Sequence, residues 1–324
     1  MTSISPPEPT YKTETNYTNG VKDGKSTGWY ENGNKEFEIF YDNGIAIDIE
    51  NKWYKSGIKR SEFDHNIGIK VSWSMNGIKT LEEHYKGEEL DGPTTYWYSN
   101  GNVSSVRNYK CGDRDGEWIF YYKNGAISDK RFYNGNEGTC STYSEEGIKT
   151  SEGQYLNNSQ EGVWTYWRFK EEIARAHFQL REFDFKDDSI VKVLYKNGFI
   201  INTTIINNKG RIIKESLFEN EDSPFGGDRS LSTTEYYDNG DKLSKIIYKG
   251  GYKESFTAWY KNGQKSRQLI YTDRTLDIDF IVHKTHWHEN GRKKYKGSFR
   301  YGTQLVSELF RWDEDGNKLH SNPR

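Results

Sequence analysis

Three histidines, His283, His286 and His288, are the residues of this sequence best suited to bind a metal ion. Imidazole is a common zinc ligand, and a closed zinc site needs four ligands. Successive side chains of a β-strand point to opposite faces, so only His286 and His288 would share a face. No cysteine is near, and Asp279 or Glu289 would have to complete the set. We therefore predict no metal site and no cofactor.

The other reactive residue types give no catalytic pattern. Two cysteines, Cys111 and Cys140, make no disulfide framework and take repeat positions. The sequence has no Gly-x-Ser-x-Gly phrase and no P-loop. Adjacent glutamates are scattered over expected loops and strands, and the acidic run 313–315 lacks the twelve-residue calcium loop. We predict that the chain is not an enzyme.

The composition excludes several classes of protein. Of the 324 residues, 33% are hydrophobic, too few for a thick layered core, yet 15% are aromatic, too many for a disordered chain. The formal net charge of -2 gives no reason to expect nucleic acid or an anionic membrane as partner. No apolar stretch is long enough for a transmembrane helix, and the N-terminus does not read as a secretory signal. We expect a cytoplasmic protein.

A short phrase of two aromatic residues, one variable residue, Asn and Gly recurs through the chain. Clear copies end at Gly33, Gly101, Gly125, Gly240 and Gly263, about 24 residues apart where consecutive. Asn-Gly between β-prone segments predicts a hairpin, closed by a type I′ turn or by a glycine bulge. Looser copies end at Gly57, Gly77, Gly147, Gly198, Gly291 and Gly316, with half-period copies at Gly44 and Gly210. The sequence predicts an all-β fold, an elongated array of antiparallel hairpin repeats in a continuous twisted single-layer sheet.

Strand alternation divides the repeat into two faces. The residue four before the turn glycine is large and apolar or aromatic, and we predict a structural ladder of stacked rings at Trp29, Trp53, Trp73, Trp97, Tyr121, Tyr236, Trp259, Trp287 and Trp312. The residue three before it lies on the opposite, more exposed face, where we predict partner-binding residues at Tyr30, Tyr54, Tyr98, Tyr122, Tyr237 and Tyr260. The alternative is that this second face is also packed. Trp118 and Cys140 share the position seven before the turn glycine, Trp164 has the same place in a repeat whose turn has lost its glycine, and we expect Cys140 to be packed there.

The repeat pattern also divides the chain along its length. We predict a flexible tail at 1–15, a hairpin array at 16–218, a loop or hinge at 219–230 and a second stretch of array at 231–324. The pattern is degenerate at 168–195, which is either a poorly conforming hairpin or an inserted helix, and we prefer the hairpin.

The best unit, from Gly116 to Gly125 with Tyr133 after it, has the form Gly-x-Trp-x-x-Tyr-Tyr-x-Asn-Gly. It resembles the MORN-repeat variant of YwqK-like antitoxins over residues 16–324. The resemblance implies a hairpin array without catalytic chemistry that binds another protein, namely a toxin encoded nearby. A scaffolding protein that tethers other partners, and a protein that binds membrane surfaces, are the alternatives.

Overall fold

A computed structural model describes residues 11–167, 189–218, 230–250, 252–272, 280–300 and 303–319. These residues form β-strands and turns, with no helix among them. No helix in the described part of the chain could therefore cross a membrane. The chain divides into two compact units, Met1–Lys149 and Thr150–Arg324.

The described part of the first unit, from residue 11 on, contains thirteen strands. Each is antiparallel to the next, except that β7 pairs with both the two-residue β8 and β9. The strands are β1 (Lys12–Thr18), β2 (Val21–Trp29), β3 (Lys35–Asp42), β4 (Ile45–Trp53), β5 (Lys59–Asp64), β6 (Ile69–Trp73), β7 (Lys79–Lys86), β8 (Glu89–Leu90), β9 (Gly92–Trp97), β10 (Val103–Lys110), β11 (Asp113–Tyr121), β12 (Ile127–Asn134) and β13 (Glu137–Tyr143).

The second unit continues the pattern, with β24 pairing with both β25 and β26. Its strands are β14 (Lys149–Leu156), β15 (Ser159–Trp167), β16 (Ile190–Lys196), β17 (Phe199–Ile206), β18 (Ile212–Phe218), β19 (Ser230–Tyr236), β20 (Lys242–Lys249), β21 (Tyr252–Trp259), β22 (Lys265–Thr272), β23 (Ile281–Trp287), β24 (Lys293–Arg300), β25 (Gln304–Leu305), β26 (Phe310–Trp312) and β27 (Lys318–Leu319). The predicted fold class, an all-β array of antiparallel hairpin repeats, is confirmed.

The recurring phrase forms a turn closed by a glycine bulge. The Gly33 N–H donates to the Tyr30 carbonyl at 3.0 Å, and the Tyr30 N–H donates to the Asn34 carbonyl at 2.9 Å. Gly33 has φ of 83°, which only a residue without a Cβ adopts readily. Pairing then resumes with a shift of one residue, so that Trp29 faces Lys35 and Gly28 faces Phe37.

The other ends of several hairpins use a different turn. Asn19 and Gly20 both have positive φ, 51° and 81°, and they alone connect Thr18 to Val21. This is the two-residue type I′ loop, whose twist matches that of the strands it joins. Asn and Gly therefore serve two different turns, the glycine-bulge turn at one end of a hairpin and the type I′ loop at the other.

This distinction corrects two sequence assignments. The sequence predicts a phrase turn at Gly198, but Asn197 and Gly198 have φ of 52° and 81° and form a type I′ loop between β16 and β17. The sequence predicts a half-period copy at Gly210, but its N–H donates to the Asn207 carbonyl at 2.9 Å as in the phrase turns. The two edges are easily exchanged because Asn197-Gly198 has the Asn-Gly pair of the phrase, whereas Gly210 follows Lys209.

Three predicted segments, the tail, the degenerate stretch and the loop or hinge, can be compared with the strands that the structure describes. The tail at 1–15 is too long, since β1 begins at Lys12 and Lys12 pairs with Trp29, whereas residues 1–10 lie outside the described part. Most of the degenerate stretch, 168–188, lies outside it as well, but Trp167 and Ile190 on either side are paired. Likewise 219–229 is not described, and β18 pairs directly with β19 across it.

Candidate binding site

The six tyrosines predicted to bind a partner share one contact. Each hydroxyl donates to the backbone carbonyl of a ladder-position residue in the next repeat, at 2.6–2.9 Å. The pairs are Tyr30 to Trp53, Tyr54 to Trp73, Tyr98 to Tyr121, Tyr122 to Tyr143, Tyr237 to Trp259 and Tyr260 to Trp287. We call this contact the tyrosine clip. The hydroxyls are thus used within the chain, and binding of a partner by these residues stays a prediction.

The tyrosine face is also the more deeply buried one. Tyr30 is 8% exposed, Trp118, seven residues before its turn glycine on the same side, is 7% exposed, and Trp164 is 2% exposed. The indole N–H of Trp118 donates to the Asn108 carbonyl at 2.7 Å, where the register shifts. The other five tyrosines are half-buried, as the ladder residues are, so the expectation of a more exposed tyrosine face is not borne out, and the alternative of a packed face holds at Tyr30 and Trp118.

Cys140 lies on the same face and is 3% exposed, packed as expected. Burial, with the charge of Asp129 second, raises the pKa of its thiol to about 11. The thiolate, which is the nucleophilic form, is therefore scarce near neutral pH.

The opposite face carries the predicted ladder, but rings alternate with lysines. An ammonium lies 4.5–5.8 Å from the ring centroid of Trp29, Trp53, Trp73, Trp97 and Trp287, contributed by Lys12, Lys35, Lys59, Lys79 and Lys265 respectively. In the first unit three of these lysines also sit opposite the tryptophan of their own hairpin. At these five positions the ladder alternates cations and rings, whereas Trp312 stacks on Phe310 with 6.1 Å between ring centroids.

Carboxylates complete this face. Lys35 contacts Glu38 at 2.6 Å, Lys79 contacts Glu82 at 2.5 Å, and Lys59 contacts Glu62. Hydrogen bonds from Lys25 and then Lys35 hold the pKa of the Glu38 carboxyl below its usual value. Each lysine thus serves a ring and an acid at once, which leaves it little capacity for a partner.

A second contact between repeats was missed in the sequence. The turn asparagine donates from Nδ2 to the carbonyl two before the next turn glycine, at 2.7–3.4 Å for Asn32, Asn100, Asn124, Asn262 and Asn290. Its Oδ1 accepts the N–H two residues on, for example from Asn102 to Asn100 at 3.1 Å. The asparagine was interpreted only as a turn former, and its regular spacing of one repeat was the available signal.

The three histidines engage separate partners. His286 stacks on Tyr295 with 2.7 Å between Nε2 and the hydroxyl, while His283 contacts Ser298 at 2.8 Å. The ring of His288, three before its turn glycine, reaches the Trp312 carbonyl at 3.1 Å, so it replaces the tyrosine of the clip. No group of three metal-binding side chains occurs among the residues that the structure describes.

The first unit also carries a groove of about 470 Å³, which reaches from the end of β2 to β7. It is lined by Tyr30, Glu36, Tyr54, Arg60, Ser61 and Ser72, among others. The cross-strand row beneath it runs Phe37, Lys52, Ser61, Ser72 and Leu81. Two small serines side by side between larger residues leave the depression.

Comparison with known proteins identifies the repeat. Residues 22–43, 90–110 and 114–134 match the family model of the MORN repeat variant. All three stretches lie in the first unit, and the match supports MORN variant repeats at these three places. No curated protein matches the chain.

Solved structures match it only distantly. The crystal structure of TcdB2-TccC3-TEV is 11% identical over 93% of this chain and 16% of that one, with a TM-score of 0.20. The crystal structure of TcdB2-TccC3-Cdc42 is 10% identical over 92% of this chain and 15% of that one, with a TM-score of 0.18. The crystal structure of TcdB2-TccC3 is 11% identical over 94% of this chain and 17% of that one, with a TM-score of 0.18. This chain spans about a sixth of the length of those chains.

Proposed function

We propose that this protein binds another protein without catalysing a reaction, and that it is a bacterial antitoxin or immunity protein that masks a partner toxin. The observation that carries the proposal is the way in which repeats are joined. Tyrosine clips and turn asparagines bind backbone carbonyls, which every residue supplies, so neighbouring side chains can change without loss of the join. Such a scaffold suits a surface adapted to one partner.

The aromatic composition of the tyrosine face supports the same proposal. Tyr, Trp and Arg are enriched among residues that dominate the energy of protein interfaces. In the first unit Arg107 lies 4.4 Å from the Tyr96 ring and 5.6 Å from that of Trp118. Trp118 is buried, whereas Tyr96 and Arg107 are half-buried, so a rigid ring and a cation remain for a partner to contact.

Expression in a bacterial host tests the proposal. Each gene adjacent to that of this protein is expressed alone and then with it, and growth is followed. We expect one neighbour to arrest growth and this protein to restore it, with the two proteins recovered as a complex after affinity purification. Absence of toxicity from every neighbour would contradict the antitoxin role, and recovery of a complex with a non-toxic protein would favour scaffolding.

A further inference from the structure

We propose that the groove of the first unit binds an extended segment of the partner protein, one that places a carboxylate against Arg60 and a hydrogen-bond donor against Glu36. This inference rests on the proposed function, because it assigns the place where the partner is recognised. Two residues that line one concavity carry it: among the described residues Arg60 has no carboxylate partner, and Glu36 Oε2 has no hydrogen-bond donor.

Arg60 is the first of these residues. Its guanidinium lies 6.0 Å from the ring centroid of Tyr54, and no carboxylate pairs with it in the described part of the chain. The other cations of the groove differ, since Lys52 contacts Glu50 at 2.5 Å and Lys70 contacts Glu83 at 3.1 Å. Arg60 is therefore available for the two-pronged contact that guanidinium makes with a carboxylate.

Glu36 is the second. Its Oε2 is buried and accepts no hydrogen bond within the described structure. A buried acceptor left without a donor costs roughly 1–3 kcal/mol. A donor from outside the chain, either a backbone N–H or a basic side chain, would remove that penalty.

Both residues occupy the same place in successive repeats. Pairing skips Glu36 between Trp29–Lys35 and Gly28–Phe37, and it skips Arg60 in the same way in the next hairpin. Two strand spacings separate them, or about 10 Å. A ligand must therefore present its acid and its donor roughly that far apart.

The dimensions favour a peptide over a small metabolite. The lining residues extend from β2 to β7, which is five strand spacings, or about 24 Å. An extended chain of roughly seven residues covers that distance. Tyr30 and Tyr54, whose hydroxyls are held in clips, present their rings to such a segment as fixed walls.

The test is selection from a phage-displayed library of random twelve-residue peptides on the immobilised full chain. We expect enriched peptides that carry Asp or Glu, and their affinity should fall about tenfold or more on Arg60→Ala and on Glu36→Gln. Arg60→Glu should regain affinity when the acidic residue of the peptide is changed to lysine. The matched control is Arg267→Ala, which removes an arginine 4.8 Å from the ring of Phe256 in the second unit and should bind like wild type.

Three results would overturn the proposal: no enriched peptide, enriched peptides without an acidic residue, or equal binding to wild type and Arg60→Ala. Thermal melting of each variant establishes whether it is folded. If Arg60→Ala is not folded, Arg60→Lys takes its place in the binding comparison. The growth assay separates the two proposals. Rescue by Arg60→Glu as complete as that by wild type would refute the groove and leave the antitoxin role standing, whereas acidic peptides bound through Arg60 without any toxic neighbour would do the reverse.

Discussion

The hydroxyl of Tyr98 donates to the backbone carbonyl of Tyr121, 23 positions later, at 2.6 Å. Two positions further on, Asn100 donates to the carbonyl of Lys123 at 2.9 Å across the same separation. Both contacts span one repeat, so they join neighbouring hairpins where strand pairing alone would leave the turn ends apart. The repeat length is thus seen in the spacing of these side-chain contacts as well as in the spacing of the turns.

Removing a clip should cost stability. Tyr98→Phe deletes the donor and leaves the Tyr121 carbonyl without it, so we expect a loss of about 0.5–1.5 kcal/mol in the free energy of unfolding. Urea denaturation of the full chain measures the loss. Tyr17→Phe is the control, because Tyr17 is 60% exposed, and its effect should be within error. Equal midpoints for the two variants would show that the clip is not a stabilising contact.

Adding a clip should do the opposite. Ser74 stands where other repeats have tyrosine, and its Oγ accepts the N–H of Ile78 at 3.2 Å within its own turn. By the pattern of the other clips, Ser74→Tyr would place a hydroxyl near the carbonyl of Trp97, with a gain of about 0.5–1 kcal/mol. Ser74→Phe supplies the ring without the hydroxyl. If the Tyr variant is no more stable than the Phe variant, the geometry of the clip does not transfer.

Much of the fold was predictable because turn chemistry is local. Positive φ at an Asn-Gly pair and alternation along a strand depend only on nearby residues. These two features were therefore enough to predict the hairpins. The buried face was not predictable, since positions such as Trp97 and Tyr98 are adjacent and both aromatic. Alternation says that they point apart but not which side is covered, and an aromatic residue fits either.

The groove residues were harder to predict from the sequence, for a related reason. Glu36 and Arg60 occupy bulge positions, where the direction of a side chain depends on the one-residue shift that follows the turn glycine. Period-two alternation fails at such a residue. Lys70 has an acidic partner and Arg60 has none among the described residues, a difference that depends on packing across strands, which a single sequence does not show.

The corrected assignment of faces predicts which of two tryptophans contributes more to the free energy of unfolding. Trp118 is 7% exposed and its indole N–H is bonded, whereas Trp97 is half-buried beneath Lys79. Trp118→Ala should therefore cost about 3–5 kcal/mol, the usual range for a buried ring, and Trp97→Ala should cost less. Urea midpoints of the two variants at one pH compare them directly. A larger loss for Trp97→Ala would restore the original assignment of faces.

His286 should make stability depend on pH in a defined window. Burial first, then the charges of Arg267, Lys284 and Lys294, lower the pKa of its imidazole from 6.5 to about 4. The unfolded chain therefore takes up this proton at higher pH than the folded chain does, so the contribution of His286 is complete above 6.5 and is lost as pH falls toward 4. NMR titration of the imidazole protons of His286 measures the pKa directly. A midpoint for His286 near 6.5 would contradict this, and His286→Phe should flatten the dependence of the unfolding free energy on pH between 6.5 and 4.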